Sequence, residues 1–212
     1  GMLNYEELIA YKDINNFQFA ELDENTAAAM CYTSGTTGRP KGVLYSHRSI
    51  VLHSLVSAFA DGLGIRESDV VLPVVPMFHV NAWGFPFTCT MVGATQIFPG
   101  PYLDPPSLLE LLESERVTIT GGVPTIWLGI LNLLDANPKK YKLDSLRCLL
   151  VGGSAAPKAM IQGFEERHQL KVLHAWGMTE TSPLGTVAVL TSEIMKAPKN
   201  VQYDYRAKQG IP

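Results

Sequence analysis

The segment Tyr32-Thr33-Ser34-Gly35-Thr36-Thr37-Gly38-Arg39-Pro40-Lys41-Gly42 contains serine and threonine hydroxyls, glycines and two cations in immediate succession. Apolar runs at 27–31 and 43–45 flank it on either side. Glycines let backbone N–H groups approach a ligand closely, hydroxyls donate hydrogen bonds, and the cations supply positive charge. This composition predicts a loop that wraps a polyphosphate, and therefore a site for a nucleoside triphosphate.

The spacing within this segment, which we call the phosphate loop (residues 32–42), departs from the Walker pattern G-x-x-x-x-G-K-[ST]. Counted from Gly35, the lysine is in place at Lys41, but Pro40 stands where the second glycine belongs, and Gly42 where the magnesium-binding hydroxyl belongs. The alternative to phosphate binding is a glycine- and threonine-rich surface turn without a ligand. Loops this long usually have a function, which favours phosphate binding.

The overall composition is that of a folded domain with a sizeable core and little net charge. The chain has 212 residues, of which 46% are hydrophobic, and its 17 basic and 20 acidic residues give a formal net charge of −3. With no polybasic surface, we expect no nucleic-acid partner. We also expect no membrane-spanning segment, because no apolar run reaches the roughly 18 residues that a spanning helix needs. The sequence assigns no oligomeric state.

The three cysteines Cys31, Cys89 and Cys148 are widely spaced, and each lies within an apolar run. Their odd number and their spacing argue against a disulfide framework and against a cysteine metal site. They predict buried thiols in a reducing compartment, and hence a cytoplasmic protein.

Short runs of β-forming residues alternate with helical stretches along the chain. This alternation predicts an α/β fold of βα units, with a mostly parallel sheet and flanking helices. Asp104 before Pro105 is a helix-start signal, and Pro124 and Pro157 are expected to open helices in the same way. The β-rich runs are 27–32, 70–75, 94–98, 117–120, 146–151, 171–175 and 184–189, and the helical stretches are 49–63, 105–115, 124–134 and 157–168.

The chain divides into three parts by composition. Residues 26–190 are expected to form a nucleotide-binding core, preceded by an N-terminal extension at 1–25. Residues 191–212 are polar and lack apolar periodicity, so we expect a mobile connection there.

Three further segments each follow a β-rich run or lie where such a run meets a helix. Ligands of parallel sheets bind beyond the carboxyl ends of the strands, so this placement predicts one shared site. The segments are Val75-Pro76-Met77-Phe78-His79-Val80-Asn81-Ala82-Trp83-Gly84, Val151-Gly152-Gly153-Ser154-Ala155-Ala156-Pro157 and Ala175-Trp176-Gly177-Met178-Thr179-Glu180-Thr181-Ser182-Pro183.

In this order the four segments resemble the adenylate-forming superfamily of acyl-CoA synthetases, peptide-synthetase adenylation domains and luciferases. They are similar to its phosphate loop, the segment that places a histidine beside the acyl carboxylate, the turn that walls the adenine, and its Gly-Tyr-Gly-x-Thr-Glu segment. The resemblance runs from about residue 27 to residue 212. It is closest to bacterial medium- and long-chain fatty-acyl-CoA synthetases, because of the residues at 79–83 and 151–157, and implies the central part of their large N-terminal domain.

The resemblance implies that a fatty acid, ATP and CoA are the substrates. The carboxylate attacks the α-phosphorus of ATP to give an acyl-adenylate and pyrophosphate, and the CoA thiol then attacks the acyl carbonyl and releases AMP. The protein mostly positions the reactants and neutralises charge in such a transfer. The implied phosphate-binding residues are Thr33, Ser34, Gly35, Thr36, Thr37, Gly38 and Lys41.

The resemblance also implies a Mg²⁺ site. Glu180 would supply a carboxylate and Thr33 or Thr179 a hydroxyl, which suits a cation that prefers oxygen ligands and keeps several waters. The alternative for Glu180 is an ordinary surface acid.

The adenosine part is expected to lie between two segments, Ser154, Ala155, Ala156 and Pro157 on one side and Ala175, Trp176, Gly177, Met178 and Thr179 on the other. Trp176 occupies the family's tyrosine position, where it keeps an aromatic face for stacking on adenine but has no hydroxyl. Ala175 replaces the family's glycine, and its methyl group is expected to narrow the acyl channel.

His79 is expected to orient the substrate carboxylate and stabilise negative charge in the transition state. The alternative is a hydrogen-bonded core histidine, because the surrounding run is apolar. Trp83 resembles a gate of the acyl tunnel, with a core aromatic as the alternative. Gly122 and Val123 resemble a segment that lines the acyl pocket, with a strand-to-helix turn as the alternative. The other histidines are expected to be surface or helix residues (His47, His53, His168) or structural (His174).

Three interpretations of function stay open at this point. The first is part of a fatty-acyl-CoA synthetase, the second is another acyl- or aryl-adenylating ligase, and the third is a binding module without catalysis. Members of the family continue past the position of Pro212 with a ribose-binding aspartate and a mobile domain that carries a catalytic lysine. We therefore expect these 212 residues alone to bind nucleotide weakly and to lack turnover.

Overall fold

The computed structural model describes residues 4–10, 17–33 and 38–210. A short exposed helix, α1 (Tyr5–Ala10), comes first. An antiparallel hairpin follows, made of β1 (Ala27–Thr33) and β2 (Lys41–Ser46). The hairpin is a sheet of its own, so the phosphate loop does not follow a strand of the parallel sheet as the sequence pattern predicted.

The main sheet has six strands in the order β4-β3-β5-β6-β7-β8. All neighbouring pairs are parallel except β7 and β8, which are antiparallel. The mostly parallel α/β fold predicted from the sequence is therefore confirmed. The strands are β3 (Val70–Pro73), β4 (Thr95–Gln96), β5 (Ile119–Gly122), β6 (Cys148–Val151), β7 (Val172–Gly177) and β8 (Leu184–Val187).

Helices cover both faces of this sheet. The helices are α2 (His47–Ala58), α3 (Val80–Trp83), α4 (Phe85–Val92), α5 (Pro105–Ser114), α6 (Pro124–Ala136), α7 (Lys158–His168) and α8 (Lys199–Ala207). Residues of β6 alternate between two clusters, with Leu149 and Val151 packed among residues of α5, α6 and α7, and Cys148 and Leu150 on the other face with Phe85. Burial on both faces explains why this strand is uniformly apolar.

Two of the three predicted helix starts are confirmed. The Asp104 carboxylate accepts a hydrogen bond from the Ser107 N–H at 3.0 Å, as an N-cap does, and Pro124 is the first residue of α6. Pro157 is the N-cap of α7 and not its first helical residue, because the helix begins at Lys158.

The structure contains helices that the sequence pattern did not predict. In α4 the proline Pro86 lies in the first turn, where it does not interrupt a helix. Another, α8, lies within the segment expected to be a polar connection, and it packs on α7 through buried Tyr203 and an ion pair between Lys158 and Asp204. Tyr203 is the one buried residue of α8, and the helix is otherwise mostly polar, so the run contains few apolar residues from which a helix could be predicted.

A buried ion pair joins the amino ends of three strands. Asp69 is 2% exposed, and its carboxylate accepts hydrogen bonds from Arg147 Nε (2.9 Å) and Nη2 (2.6 Å) and from the Thr118 hydroxyl (2.8 Å). Arg147 also donates to the Gly64 carbonyl at 2.6 Å. Burial by itself would raise the pKa of Asp69, but the hydrogen bonds from Arg147 and Thr118 outweigh it and hold the pKa below its ordinary value.

All three cysteines are buried and free, which confirms the prediction of buried thiols. Burial raises the pKa of Cys89 to about 12 and that of Cys148 to about 11. Among the helices of the described residues, none combines the length and hydropathy of a membrane span.

Candidate functional site

A cavity of about 240 Å³ opens beside the carboxyl ends of β6 and β7. It brings together three of the four segments predicted to share a site, those at 75–84, 151–157 and 175–183. Its lining residues are His53, Leu63, His79, Val80, Trp83, Leu150, Gly152, Gly153, Ala175, Trp176, Gly177, Met178, Thr179, Pro183 and Leu184.

His79 lies in the loop after β3 and is exposed where it lines the cavity. The apolar residues on either side of it in sequence do not enclose it, since Met77 and Phe78 are themselves exposed. The core interpretation of His79 is therefore wrong, and the imidazole is accessible to a ligand.

The chain then makes a left-handed turn from Val80 to Trp83. The φ angles of these four residues are 51°, 50°, 50° and 58°, and Gly84 follows at 74°. Left-handed backbone costs about 1–2 kcal/mol per residue for side chains other than glycine. Burial of Val80 and Ala82 offsets part of this strain. The Asn81 side-chain oxygen accepts a hydrogen bond from the Cys31 thiol at 3.6 Å. Strained backbone of this kind is concentrated at functional sites.

Trp83 ends this turn with its ring over Gly152. A Cβ on Gly152 would lie 3.1 Å from Trp83 Cη2 and 3.3 Å from the Ala175 carbonyl oxygen, so only glycine fits at that position without displacement. The ring lines the cavity and also packs against two buried clusters. Trp83 therefore has features of both interpretations, as a core aromatic and as a wall of the cavity.

Gly122 and Val123 lie behind the cavity wall and do not line it. A Cβ on Gly122 would be 2.9 Å from the Trp127 ring, whose Nε1 donates to the Gly122 carbonyl at 2.9 Å and to the Leu150 carbonyl at 3.2 Å. The Val123 side chain reaches within 3.2 Å of a Cβ position on Gly153. These residues support the glycine turn at 152–153 from beneath.

A buried histidine holds the segment expected to wall the adenine. His174 is fully buried, and its Nε2 accepts a hydrogen bond from the Ala156 N–H at 3.3 Å. Ala156 is buried, whereas Ser154, Ala155 and Pro157 are exposed on the surface of the turn. The structural role predicted for His174 is confirmed, and it acts on a segment predicted to bind nucleotide.

The second nucleotide segment continues from β7 into a 3-10 turn at Thr179–Thr181. Trp176 is 36% exposed, and its ring lies 2.7 Å from a Cβ position on Gly185, so one part of the indole packs on the neighbouring strand. Trp176, Gly177, Met178 and Thr179 all line the cavity. Ala175 is buried among core residues and also reaches the cavity wall.

The hairpin closes the phosphate loop at its base. Thr33 pairs with Lys41 across the two strands, and the Thr33 hydroxyl donates to the Lys41 carbonyl at 3.4 Å. Ser34, Gly35, Thr36 and Thr37 lie outside the described residues. Lys41 and Gly38 are exposed, and Gly38 has a φ of 85°, which favours glycine at this position.

A tyrosine outside the predicted site residues joins the hairpin to the 3-10 turn. The Tyr45 hydroxyl donates to the Thr179 carbonyl at 2.6 Å. Burial raises the pKa of Tyr45 to about 12, with further contributions from nearby Cys31 and Glu180. The hydroxyl is therefore protonated and able to donate at neutral pH. A tyrosine within the short apolar run 43–45 was the only signal that the sequence offered.

Glu180 follows Thr179 and is exposed. It enters none of the ion pairs formed within the described part of the chain. The described residues also hold no cluster of three or more histidine, cysteine or acidic side chains that could bind a metal by themselves. A single free carboxylate beside threonine hydroxyls fits Mg²⁺, which is usually bound by one or two carboxylates together with substrate phosphates and water.

His53 lines the same cavity from α2, whereas its sequence context predicted only a surface or helix residue. Burial lowers its pKa to about 4. By contrast, His47 is exposed at the start of α2, and His168 lies at the end of α7, where its Nε2 is 2.8 Å from Asp135.

Comparison with known protein families gives one match over nearly the whole chain. The sequence profile of the family described as "AMP-binding enzyme" matches residues 2–212.

Curated relatives align over the entire chain. A 3-methylmercaptopropionyl-CoA ligase of Ruegeria lacuscaerulensis is 49% identical, and a medium-chain-fatty-acid–CoA ligase of Ectopseudomonas oleovorans is 48% identical. Each alignment covers 100% of this chain but only 39% and 38% of the relative, respectively. The chain thus spans about two fifths of the length of these relatives.

Solved structures resemble the fold. A long-chain-fatty-acid–CoA ligase from Archaeoglobus fulgidus matches 100% of this chain and 41% of its own, with a TM-score of 0.81 and 25% identity. An o-succinylbenzoate coenzyme A synthetase from Bacillus subtilis, in complex with ATP and magnesium ion, matches 89% of this chain and 38% of its own, with a TM-score of 0.73 and 26% identity.

Proposed function

The chain belongs to the AMP-binding enzyme family, and from this membership we propose that it forms the nucleotide- and acyl-binding part of an AMP-forming fatty-acid–CoA ligase. The substrates of that enzyme would be a fatty acid, ATP and CoA, which the names of the relatives at 47–49% identity support. These names include medium-chain and long-chain acids and a thioether acid, so the proposal assigns no chain length.

The observation that carries the proposal is the convergence of His79, Trp83, the glycine turn at 152–153 and residues 175–179 on one cavity. They come from the ends of three different strands of the sheet. In open α/β sheets this is where ligands bind. Polar and apolar residues line the same cavity, which suits a carboxylate that carries an alkyl chain.

In the first half-reaction, a carboxylate oxygen would bond to the α-phosphorus of ATP while the bond to the β-phosphate breaks. His79 is exposed to the cavity and would donate a hydrogen bond to the attacking carboxylate. This would orient the carboxylate and stabilise charge where it develops.

The leaving pyrophosphate would lie against the phosphate loop. Lys41 and Arg39 supply the positive charge, and the hydroxyl and amide groups of residues 33–38 supply hydrogen bonds. Mg²⁺ bound by Glu180 and by the hydroxyl of Thr33 or Thr179 would neutralise phosphate charge. Tyr45 would keep the metal-binding turn in register with the loop through its hydrogen bond to Thr179.

The adenosine would lie against the turn at 154–157, with Trp176 stacking on the base. His174 would position this turn through the Ala156 N–H. The alkyl chain would extend past Trp83 and Ala175 into the apolar part of the cavity, with Gly122 and Val123 as the supporting layer. In the second half-reaction, the CoA thiol would attack the acyl carbonyl and AMP would leave.

The names of the relatives favour the ligase interpretation over a binding module without catalysis, and a fatty acid over an aryl acid. Nothing in these 212 residues matches the lysine that the family brings to the α-phosphate from a further domain. We therefore place full activity in a polypeptide that contains this chain and spans the length of the relatives, which we call the full-length form. A cytoplasmic location is part of the proposal and is supported by the buried free thiols.

The test is ATP–pyrophosphate exchange by the full-length form, in the presence of fatty acids of four to sixteen carbons and of benzoate. We expect exchange that depends on the fatty acid and on Mg²⁺, and formation of acyl-CoA when CoA is added. His79→Ala should reduce exchange by about 10²–10³-fold, which is the typical effect of losing a preorganised donor. Exchange that occurs with benzoate but with none of the fatty acids would show that the substrate is an aryl acid. ATP binding without exchange would support the interpretation as a binding module without catalysis.

A further inference from the structure

A second histidine, His53, lines the same cavity as His79. His53 lies in the second turn of α2 and lines the cavity together with His79 and Trp83. No role in the proposed chemistry uses it so far. Its side chain is nevertheless largely enclosed beside the cavity, so a bound substrate would contact it.

The His53 ring is fixed by close packing on Gly84. A Cβ on Gly84 would lie 2.5 Å from His53 Cε1 and 2.6 Å from Nδ1, but 3.6 Å from Nε2. The ring therefore presses one edge against the backbone that directly follows the left-handed turn, while Nε2 points away from that contact. Gly84 at φ 74° permits this approach, and a larger residue would displace the ring.

The ring nitrogens of His53 remain available. No hydrogen bond between described residues involves them, and neither is among the fully enclosed unpartnered atoms of that part of the chain. The imidazole thus presents surface to the cavity.

Apolar side chains line the cavity together with His53. Leu63, which follows α2, and Leu184 of β8 line the cavity with it, as does the Trp83 indole. The lining residues expected to bind nucleotide, Trp176 to Thr179, follow Ala175 along β7, and Gly177 pairs with Leu184 across the two strands. Burial keeps the imidazole of His53 neutral at pH 7, since its pKa is lowered to about 4, and a neutral ring is compatible with an alkyl chain.

We propose that His53 determines acyl specificity by forming the end wall of the acyl part of the cavity. The ring would stop an alkyl chain that enters past Trp83, so that the size of residue 53 sets the preferred chain length. This inference rests on the proposed function, because it concerns the acid that the same site would activate.

The experiment compares the full-length form with His53→Ala and His53→Phe, using kcat/KM for acids of four to sixteen carbons and KM for ATP. We expect His53→Ala to move the preferred acid to longer chains and to raise the ratio of long-acid to short-acid kcat/KM about tenfold or more, the scale of discrimination by one methylene. His53→Phe should move the preference to shorter chains. KM for ATP should stay within about twofold in both variants, because His53 is not among the residues expected to bind the nucleotide.

His47→Ala is the matched control, since His47 lies on the same helix but is exposed and away from the cavity. It should leave the chain-length profile unchanged. An active enzyme whose profile is unmoved in both His53 variants would overturn the inference, as would a uniform loss with all acids accompanied by a raised KM for ATP. If His53→Ala does not fold, the profile of His53→Phe alone decides. A full-length form that activates no acid would instead overturn the proposed function, and the inference with it.

Discussion

Replacing Asp69 by asparagine removes the carboxylate that ties together the amino ends of β3, β5 and β6. Asp69 is 2% exposed and receives two hydrogen bonds from Arg147, at 2.6 and 2.9 Å. Hydrogen bonds to charged groups contribute about 1.5–3 kcal/mol each. The Arg147 side chain is 32% exposed, so water recovers part of the loss, and the asparagine oxygen can still accept one bond. We expect a loss of about 2–4 kcal/mol in the free energy of unfolding.

The effect should depend on pH in a defined direction. The folded-state pKa of Asp69 is held below its ordinary value, so its contribution is complete above the unfolded-state pKa of about 3.9 and is lost as the pH falls through the folded-state pKa. The difference in stability between the wild-type protein and Asp69→Asn should therefore be constant from pH 7 to about pH 5 and should narrow below about pH 4.

The assay is urea unfolding of the full-length form, followed by tryptophan fluorescence at these pH values. Glu24→Gln is the matched control, because Glu24 forms a 2.7 Å ion pair with Arg48 in which both side chains are more than half exposed. Such a pair contributes about 0–1 kcal/mol. An effect of Asp69→Asn no larger than that of Glu24→Gln, or one that grows as the pH falls, would refute this account of the ion pair.

Three further predictions concern the site. Lys41→Ala should lower the affinity for ATP by about ten- to a hundred-fold and the affinity for AMP much less, because the Lys41 ammonium is expected to face the β- and γ-phosphates. Calorimetry with both nucleotides checks this, and equal losses of affinity for ATP and AMP would contradict the assigned position of Lys41. Trp83→Ala in the full-length form should change the profile of acids used and leave the KM for ATP nearly intact; an unchanged profile would leave Trp83 as a core residue only. The 212-residue chain alone should show pyrophosphate exchange reduced by about 10²–10³-fold or more relative to the full-length form, since it has no group matching the α-phosphate lysine; comparable rates would show that the chain holds a complete catalytic set.

The centre of the sheet could be predicted because β3, β5 and β6 are short and buried on both faces. Runs such as 146–151 contain only residues that suit such a strand, apart from the arginine at 147 that pairs with Asp69. The start of α5 could be predicted from Asp104, because an N-cap hydrogen bond involves only the residues that directly follow the cap. The bounds were shifted by a few residues, as in β5, which begins at Ile119 and not at 117.

Other parts of the site depend on contacts between distant residues and leave little local trace. Tyr45 and Thr179 are 134 positions apart, and His53 reaches Gly84 from another helix. The sequence around His53 is helical, but the pattern could not show which direction the ring takes, because α2 is apolar on nearly all sides and Val51, Leu52 and Leu55 are exposed. The left-handed turn at 80–83 also has no local signal, since Val80 is among the residues least suited to that backbone. The contacts of Ser34 to Thr37 with phosphate stay a prediction.

The left-handed turn has a consequence for how this protein can be engineered. Glycine at Ala82 would relieve backbone strain at the loss of one buried methyl group, and so offers a route to a higher melting temperature, whereas glycine at Val80 would also lose a buried side chain that contributes about 1.5–3 kcal/mol. The same turn fixes the spacing between His79 and Trp83, one expected to hold the carboxylate and the other to flank the alkyl chain. A more flexible backbone at this turn would allow His79 and Trp83 to move relative to each other, and the carboxylate and the alkyl chain of the substrate would then be held less precisely. Selection for thermal robustness and selection for turnover should therefore pull these positions toward different amino acids.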